Sequence, residues 1–121
     1  MAGMAKGDDI QERMITFAVG VIKLSSALPK NETGKHLALQ ILRSGTSPAA
    51  NYGEARGAES RRDFIHKLSV VLKELNETII WLEIIIRSDF LTGVVAGNLL
   101  KEDNELAKIV SASIKTAQRR A

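Results

Sequence analysis

Residues 60–87, SRRDFIHKLSVVLKELNETIIWLEIIIR, carry the clearest helical pattern in the chain. Apolar residues recur there at steps of three or four, the spacing that places them on one face of an α-helix. The members of this stripe are Phe64, Leu68, Val71, Leu75, Ile79, Leu82 and Ile86. A helix of this length spans roughly 40 Å at about 1.5 Å per residue, so it needs helical partners of similar length.

The start of this segment has the signal of a helix N-terminus. Ser60 and Asp63 have the spacing of a capping box, in which two side chains satisfy free backbone N–H groups, with Asp in place of the usual Glu. The pattern predicts a helix over about residues 60–88. Three further segments with the same apolar period predict helices over about residues 8–28, 33–57 and 94–118.

The connections between these helices are short, which makes neighbouring helices antiparallel. The predicted fold class is all-α, an antiparallel up-and-down four-helix bundle, with residues 1–121 as its single domain. Pro48 lies inside the second helix, where it lacks an N–H and clashes with the carbonyl four residues earlier. Two outcomes are open: a kink near Gly45, or a new helix start with Ser47 as its cap.

The composition excludes several classes of protein. The chain has no cysteine, so disulfides, thiolate nucleophiles and zinc–thiolate sites are excluded. Its 45% hydrophobic and 26% charged residues are the balance of a globular domain. No signal peptide is recognisable, and no apolar stretch approaches the roughly 20 residues of a membrane span. We therefore expect a cytoplasmic protein with no membrane partner.

Positive charge is unevenly distributed along the chain, whose formal net charge is +3. Residues 35–67 carry six Lys or Arg against three acids, and residues 111–121 carry three bases and no acid. Such patches favour RNA or DNA as a partner, although ordinary solvated helix faces give the same pattern. The candidate phosphate contacts are Arg56, Arg61, Arg62, Lys67, Lys115, Arg119 and Arg120.

The third helix has more apolar residues than one face can hold. On a helical wheel, Val70, Ile80, Trp81 and Ile84 fall on the side that would face water. Exposed apolar clusters mark interfaces, and closed symmetric assemblies of identical copies are the commonest solution. We therefore expect these four residues to form an interface between copies of the chain.

The sequence lacks the motifs of a catalytic or metal site. Asp63 and His66 form the only acid-x-x-His pair, whereas a di-iron bundle needs two Glu-x-x-His pairs and two further carboxylates. Neither histidine belongs to a recognisable nucleophile motif. We expect no enzymatic activity, no metal and no cofactor.

Polar residues inside the long helices form a separate group, namely Arg43, Asn51, Glu74 and Glu77. These side chains are predicted to form a hydrogen-bonded network between helices or between subunits. Such a network fixes register when every member is satisfied. Ligand binding is the alternative interpretation.

Several motifs, in order and at fixed distances, resemble one bacterial family. They are residues 42–55 (LRSGTSPAANYGEA), residues 63–68 (DFIHKL), Lys73-Glu74, Glu77-Thr78, Trp81-Leu82-Glu83 and residues 114–117 (IKTA). The likeness is to the four-helix bundle proteins encoded in intervening sequences of 23S ribosomal RNA genes, and it covers nearly the whole chain. Pro48 departs from the family pattern, in which Ile or Val is more common.

The resemblance implies a four-helix bundle assembled as a homopentamer. It also implies kinship with the accessory protein of diversity-generating retroelements, a basic pentameric barrel that binds nucleic acid and a reverse transcriptase. Function in this family is poorly defined, and two hypotheses follow. The chain is a non-enzymatic oligomer that binds structured RNA, such as ribosomal RNA, or DNA through repeated basic patches. Alternatively, it is a scaffold or adaptor for another protein and has no nucleic-acid role.

Overall fold

The computed structural model, which describes residues 7–90 and 92–120, contains four α-helices in this part of the chain. They are α1 (Asp8–Ala27), α2 (Glu32–Arg56), α3 (Arg61–Arg87) and α4 (Gly93–Arg119). Consecutive helices pack against one another, and α1 contacts α4 less closely than the other adjacent pairs. The predicted antiparallel four-helix bundle is confirmed. Each helix begins and ends within one residue of the bounds that the apolar period indicates.

The buried residues of α3 follow alternating steps of three and four. They are Leu68, Val71, Leu75, Thr78, Leu82 and Ile85. This seven-residue repeat is typical of helices that pack with a left-handed twist. A straight wheel of 3.6 residues per turn drifts by about 20° in each heptad relative to that repeat. For this reason the predicted stripe includes Ile79 and Ile86, which are only partly buried, and omits Thr78 and Ile85, which are fully buried.

Two glycines allow α1 to approach its neighbours closely. A Cβ atom at Gly45 of α2 would lie 2.7 Å from Val21 Cγ1, and a Cβ atom at Gly20 of α1 would lie 2.8 Å from Leu99 Cδ2. The first contact is the tighter constraint, because the β-branched Val21 side chain has few alternative rotamers. Glycine at position 45 therefore sets the distance between α1 and α2.

The second helix runs without interruption from Glu32 to Arg56, with Pro48 buried inside it. The alternative of a new helix that starts after Ser47 is therefore wrong. Proline at this position deprives the Ser44 carbonyl of its usual backbone donor. Burial of the proline ring offsets part of that cost, because apolar surface is removed from water.

Candidate nucleic-acid interface

The turn between α2 and α3 positions the first group of basic residues. Gly57 ends α2, and the Ser60 side chain accepts a hydrogen bond from the Asp63 N–H at 3.1 Å. The predicted capping role of Ser60 is therefore confirmed. This cap starts α3 at Arg61, so that Arg61 and Arg62 lie in its first turn, where both are exposed.

The last turn of α4 lies beside this turn. Arg119 and Arg120 are exposed there, and the Arg61 guanidinium donates a hydrogen bond to the Arg120 carbonyl. Arg56, the last residue of α2, belongs to the same end of the bundle. We call the surface formed by Arg56, Arg61, Arg62, Arg119 and Arg120 the arginine end.

Two of the predicted phosphate contacts form ion pairs within the chain. Arg56 Nη2 lies 2.5 Å from Asp8 Oδ1, and Lys67 Nζ lies 3.1 Å from Asp63 Oδ2. The Lys67 hydrogen bond, together with one from the Glu59 backbone N–H, lowers the pKa of Asp63. Arg56 and Lys67 are therefore less available to a phosphate than the sequence pattern indicates.

The other predicted contacts have no carboxylate partner among residues 7–90 and 92–120. They are Arg61, Arg62, Lys115, Arg119 and Arg120, all of them exposed. Glu54 and Glu59 are exposed near the same turn and offset part of this charge. A guanidinium group without a carboxylate partner can bind two oxygens of one phosphate at once. This surface can therefore bind a polyanion.

A recess of about 640 Å³ opens at the arginine end, between the start of α1 and the last turns of α4. Its walls include Tyr52, Phe64, Ile109, Ala112 and Ala117. A smaller cavity of about 260 Å³ shares part of this lining and extends to the turn that precedes α3. Arg56 and Arg120 also line the recess, which therefore combines apolar walls with basic side chains.

Gly7 and Tyr52 lie close together inside this recess. Gly7 has a φ of 90°, and a Cβ atom on it would lie 2.9 Å from Tyr52 Oη and 3.3 Å from Arg56 Nε. A side chain at position 7 would therefore be strained and would also fill space beside the tyrosine. Burial raises the pKa of Tyr52, although the charge of Arg56 opposes this shift. The phenol is therefore neutral and able to donate a hydrogen bond.

Three of the four predicted network residues come together between α2 and α3. Arg43 Nη1 lies 3.4 Å from Glu74 Oε2, and Arg43 Nη2 pairs with Glu77 Oε2. Asn51 lies elsewhere on α2, where its Nδ2 donates to Ser47 Oγ at 3.4 Å. The network therefore links α2 to α3 without Asn51, because Asn51 is two turns from Arg43 along the helix.

The predicted interface residues differ in their exposure. Ile80 and Ile84 are 58% and 39% exposed, whereas Val70 and Trp81 are half-buried. Trp81 Nε1 donates to Glu77 Oε2 at 3.0 Å, and the indole packs edge-on against the imidazole of His36. Trp81 is therefore partly covered within its own chain, and Ile80 and Ile84 are the more exposed apolar residues of the four.

A second apolar row, which is not among the predicted interface residues, lies on α1. Ile15, Val19 and Ile22 are 42%, 43% and 45% exposed. Their spacing of four and three residues places them on one face of the helix. That spacing is readable from the sequence, but it lies beside the stronger inward stripe of the same helix. Exposed rows of this kind are typical of contact surfaces.

Asp103 is a buried carboxyl that is not among the predicted site residues. It is 0% exposed, and neither of its carboxyl oxygens has a hydrogen-bond partner among the residues that the structure describes. It lies four residues after Leu99 and three before Leu106, so it occupies a core position of α4, and this spacing is its signal in the sequence. Burial raises the pKa of Asp103 to about 8. The group is therefore mostly protonated at neutral pH.

The described residues contain neither a metal-ligand cluster nor a membrane span. Among residues 7–90 and 92–120, no three His, Cys, Asp or Glu side chains are grouped so that they could hold a metal ion. No helix in the same part of the chain is long and apolar enough to cross a membrane. Of the two histidines, His36 contacts Trp81 and His66 is exposed on α3.

The chain is similar to proteins of one family in both sequence and structure. The family model for the 23S rRNA-intervening sequence protein matches residues 7–112. The crystal structure of a protein with unknown function from the S23 ribosomal protein family of Bacteroides thetaiotaomicron is 39% identical and has a TM-score of 0.81, over 88% of this chain and 98% of that chain. No curated protein matches the chain. The chain therefore belongs to the 23S rRNA-intervening sequence protein family.

Proposed function

We propose that this chain is a non-enzymatic protein that assembles with copies of itself and binds structured RNA through its arginine end. One observation carries the proposal. No carboxylate in the described part of the chain pairs with Arg61, Arg62, Lys115, Arg119 or Arg120. These residues come from the start of α3 and from the C-terminal part of α4, which meet at the same end of the bundle.

The physical basis of the binding is the release of counterions from phosphates. Each Lys or Arg that neutralises a phosphate frees condensed cations, so affinity depends strongly on salt and little on sequence. Aromatic residues make up only 4% of the chain, which disfavours extensive base stacking. The description of the family refers to 23S ribosomal RNA, which makes ribosomal RNA the first RNA to test.

Self-association would multiply this basic surface. Ile80 and Ile84 on α3, and the row of Ile15, Val19 and Ile22 on α1, supply the exposed apolar area that contacts between copies require. Several copies on one RNA bind more tightly than a single copy because each additional contact is intramolecular. The homopentamer that the family resemblance implies is one closed arrangement of this kind.

The experiment is a mobility-shift titration of structured ribosomal RNA at about 50 mM salt, where phosphate contacts are strong. Arg61→Glu together with Arg62→Glu should abolish binding. These changes place acids in the first turn of α3, where the helix dipole favours them, so the fold should persist. The control is Lys23→Glu together with Lys35→Glu, the same charge change at the opposite end of the bundle. Equal loss in both variants, or no binding by the unchanged protein, would rule out the proposal.

A scaffold for another protein is the second candidate, and the exposed row of Ile15, Val19 and Ile22 favours it. A protein partner would bury this row, whereas RNA would leave it in water. If Ile15→Glu together with Ile22→Glu leaves RNA binding and assembly mass unchanged, the row is available to a different protein.

A further inference from the structure

We propose that the recess at the arginine end binds a single nucleotide, with the base against its apolar walls and the phosphate on the arginines that line it. This inference rests on the proposed RNA-binding function and names the part of the RNA that enters the protein. The ligand is an unpaired nucleotide at a strand end. A free mononucleotide has the same chemistry, and the experiments below separate the two sources.

The size and walls of the recess suit a nucleobase. Its volume of about 640 Å³ lies within the roughly 300–1,000 Å³ of small-ligand sites. Two half-buried aromatic rings, Tyr52 and Phe64, form part of its wall, and Ile109 and Ala112 of α4 contribute further apolar surface. A flat base can stack on such rings whatever its identity, because every base has a π-face.

The charge of the recess suits a phosphate. Arg56 and Arg120 line both the recess and the smaller cavity beside it, and Arg61 lines the smaller cavity. Among the described residues, neither lining contains Asp or Glu, although Asp8 pairs with Arg56 from outside both linings. The phosphate therefore depends on Arg61 and Arg120 more than on Arg56. The Arg61 guanidinium is held at this position by its hydrogen bond to the Arg120 carbonyl. Guanidinium groups bind phosphate oxygens in a bidentate manner, so an anionic group beside these arginines is favoured over a neutral or cationic one.

Three hydroxyl groups supply hydrogen bonds without a fixed sequence preference. Tyr52, Ser113 and Thr116 line the recess, and Ser113 Oγ donates to the Ile109 carbonyl at 3.0 Å, which leaves its lone pairs to accept a hydrogen bond. A hydroxyl can either donate or accept, so it can pair with a base edge or with a ribose hydroxyl. The site therefore selects the nucleotide class and not one particular base.

The first experiment is a calorimetric titration of the full-length protein with adenosine monophosphate, adenosine and inorganic pyrophosphate. Ala112→Phe fills the recess from an exposed position on α4, so it should not disturb the core. Ala27→Phe makes the same change at an exposed position at the other end of the bundle. We expect Ala112→Phe to weaken binding of adenosine monophosphate on the order of ten-fold and Ala27→Phe to leave it unchanged.

A second variant isolates the contribution of the base. Phe64→Leu retains an apolar side chain but removes a stacking surface. It should weaken adenosine monophosphate binding by about five-fold, the effect of one stacking contact, and leave pyrophosphate binding unchanged. If pyrophosphate binds as tightly as adenosine monophosphate and Phe64→Leu affects neither, the arginines bind phosphate alone and the inference is wrong.

The third experiment compares a blunt RNA hairpin with the same hairpin carrying an unpaired, 5′-phosphorylated end. A preference for the unpaired end that Ala112→Phe removes identifies the strand end as the ligand. If Ala112→Phe weakens the binding of adenosine monophosphate but does not change the binding of either hairpin, the ligand is a free mononucleotide. If Ala112→Phe changes neither, no nucleotide enters the recess, whereas the RNA-binding proposal survives as long as Arg61→Glu together with Arg62→Glu still abolishes binding.

Discussion

The hydroxyl oxygens of Ser44 and Thr78 lie 2.9 Å apart and hydrogen-bond across the contact between α2 and α3. Both residues are 0% exposed, so this polar pair lies entirely inside the core. Thr78 Oγ1 also hydrogen-bonds the Glu74 carbonyl at 2.8 Å, one turn earlier on α3. Buried hydroxyls are stable only when they are hydrogen-bonded. The pair therefore favours one axial register between α2 and α3.

Replacement of Thr78 by valine should destabilise the bundle. The variant keeps the shape of the side chain but leaves the Ser44 hydroxyl buried without this partner, so we expect a loss of about 1–3 kcal/mol in the free energy of unfolding. Ser44→Ala should cost less, because Thr78 keeps its bond to the Glu74 carbonyl. Urea denaturation of both single variants and the double variant measures the coupling. If the free-energy losses of the two single variants add up to the loss in the double variant, Ser44 and Thr78 are not coupled and the prediction is wrong.

The stability of the protein should depend on pH through Asp103. Its pKa in the folded state, about 8, lies above the ordinary value of 3.8 in the unfolded chain. The folded state therefore holds the proton more tightly, and the free energy of unfolding should fall as pH rises through the window between these two values. The stabilisation is fully present below the lower value and is lost above the upper one.

Asp103→Leu should remove this contribution and raise stability at the alkaline end of the window by an amount on the order of a few kcal/mol. The measurement is urea denaturation at several pH values, compared with wild type and with the exposed control Asp9→Asn. If Asp103→Leu keeps the wild-type pH profile, the carboxyl does not titrate inside the core as described.

Two glycine-to-alanine changes should have opposite effects. At Gly45 the new Cβ atom would meet both methyl groups of Val21, at 2.7 and 2.8 Å, so α1 and α2 must separate. We expect a loss of about 1–3 kcal/mol from this overpacking. At Gly97, inside α4, a new Cβ atom would have no described atom within 4 Å apart from the adjacent residues and nearby backbone of α4, so alanine should stabilise the helix by up to about 1 kcal/mol. Thermal unfolding of both variants measures these two effects. Equal destabilisation by Gly45→Ala and Gly97→Ala would argue against the close approach of α1 and α2.

Self-association should be sensitive to Ile80. This side chain is 58% exposed, so Ile80→Glu places a charge on the predicted interface without emptying the core. Trp81→Glu is less informative, because Trp81 packs against the core and hydrogen-bonds Glu77 within the chain. We expect light scattering on a size-exclusion column to show a lower mass for Ile80→Glu. Leu39→Glu, at a more exposed position on α2, is the control, and an unchanged mass for Ile80→Glu would count against this interface.

The fold could be predicted because its determinants are local. The apolar period and the cap at Ser60 depend on residues within a few turns of one another, so they indicate helix bounds and fold class directly. The differences between the predicted and the observed structure arise where helices pack on each other. The seven-residue repeat moves Ile85 into the core in place of Ile86, and Pro48 stays helical because the bundle buries it.

The candidate site could be predicted only in part, because its properties depend on contacts between distant segments. The basic residues near α3 are evident from composition. By contrast, the pairing of Arg56 with Asp8 joins residues 48 positions apart. The recess depends on where α1 and α4 end relative to each other, which no local pattern specifies. The core position of Asp103 is evident from its spacing in the sequence, whereas its lack of hydrogen-bond partners in the described part of the chain is not.

The salt dependence of RNA binding tests the role of the arginine end most directly. For wild type, we expect the logarithm of the affinity for structured ribosomal RNA to fall linearly with the logarithm of salt concentration. Arg61→Gln together with Arg62→Gln should reduce the slope by about one for each phosphate contact removed. Lys23→Gln together with Lys35→Gln should leave the slope unchanged. The same slope and the same affinity in all three proteins would show that RNA does not bind at this end of the bundle.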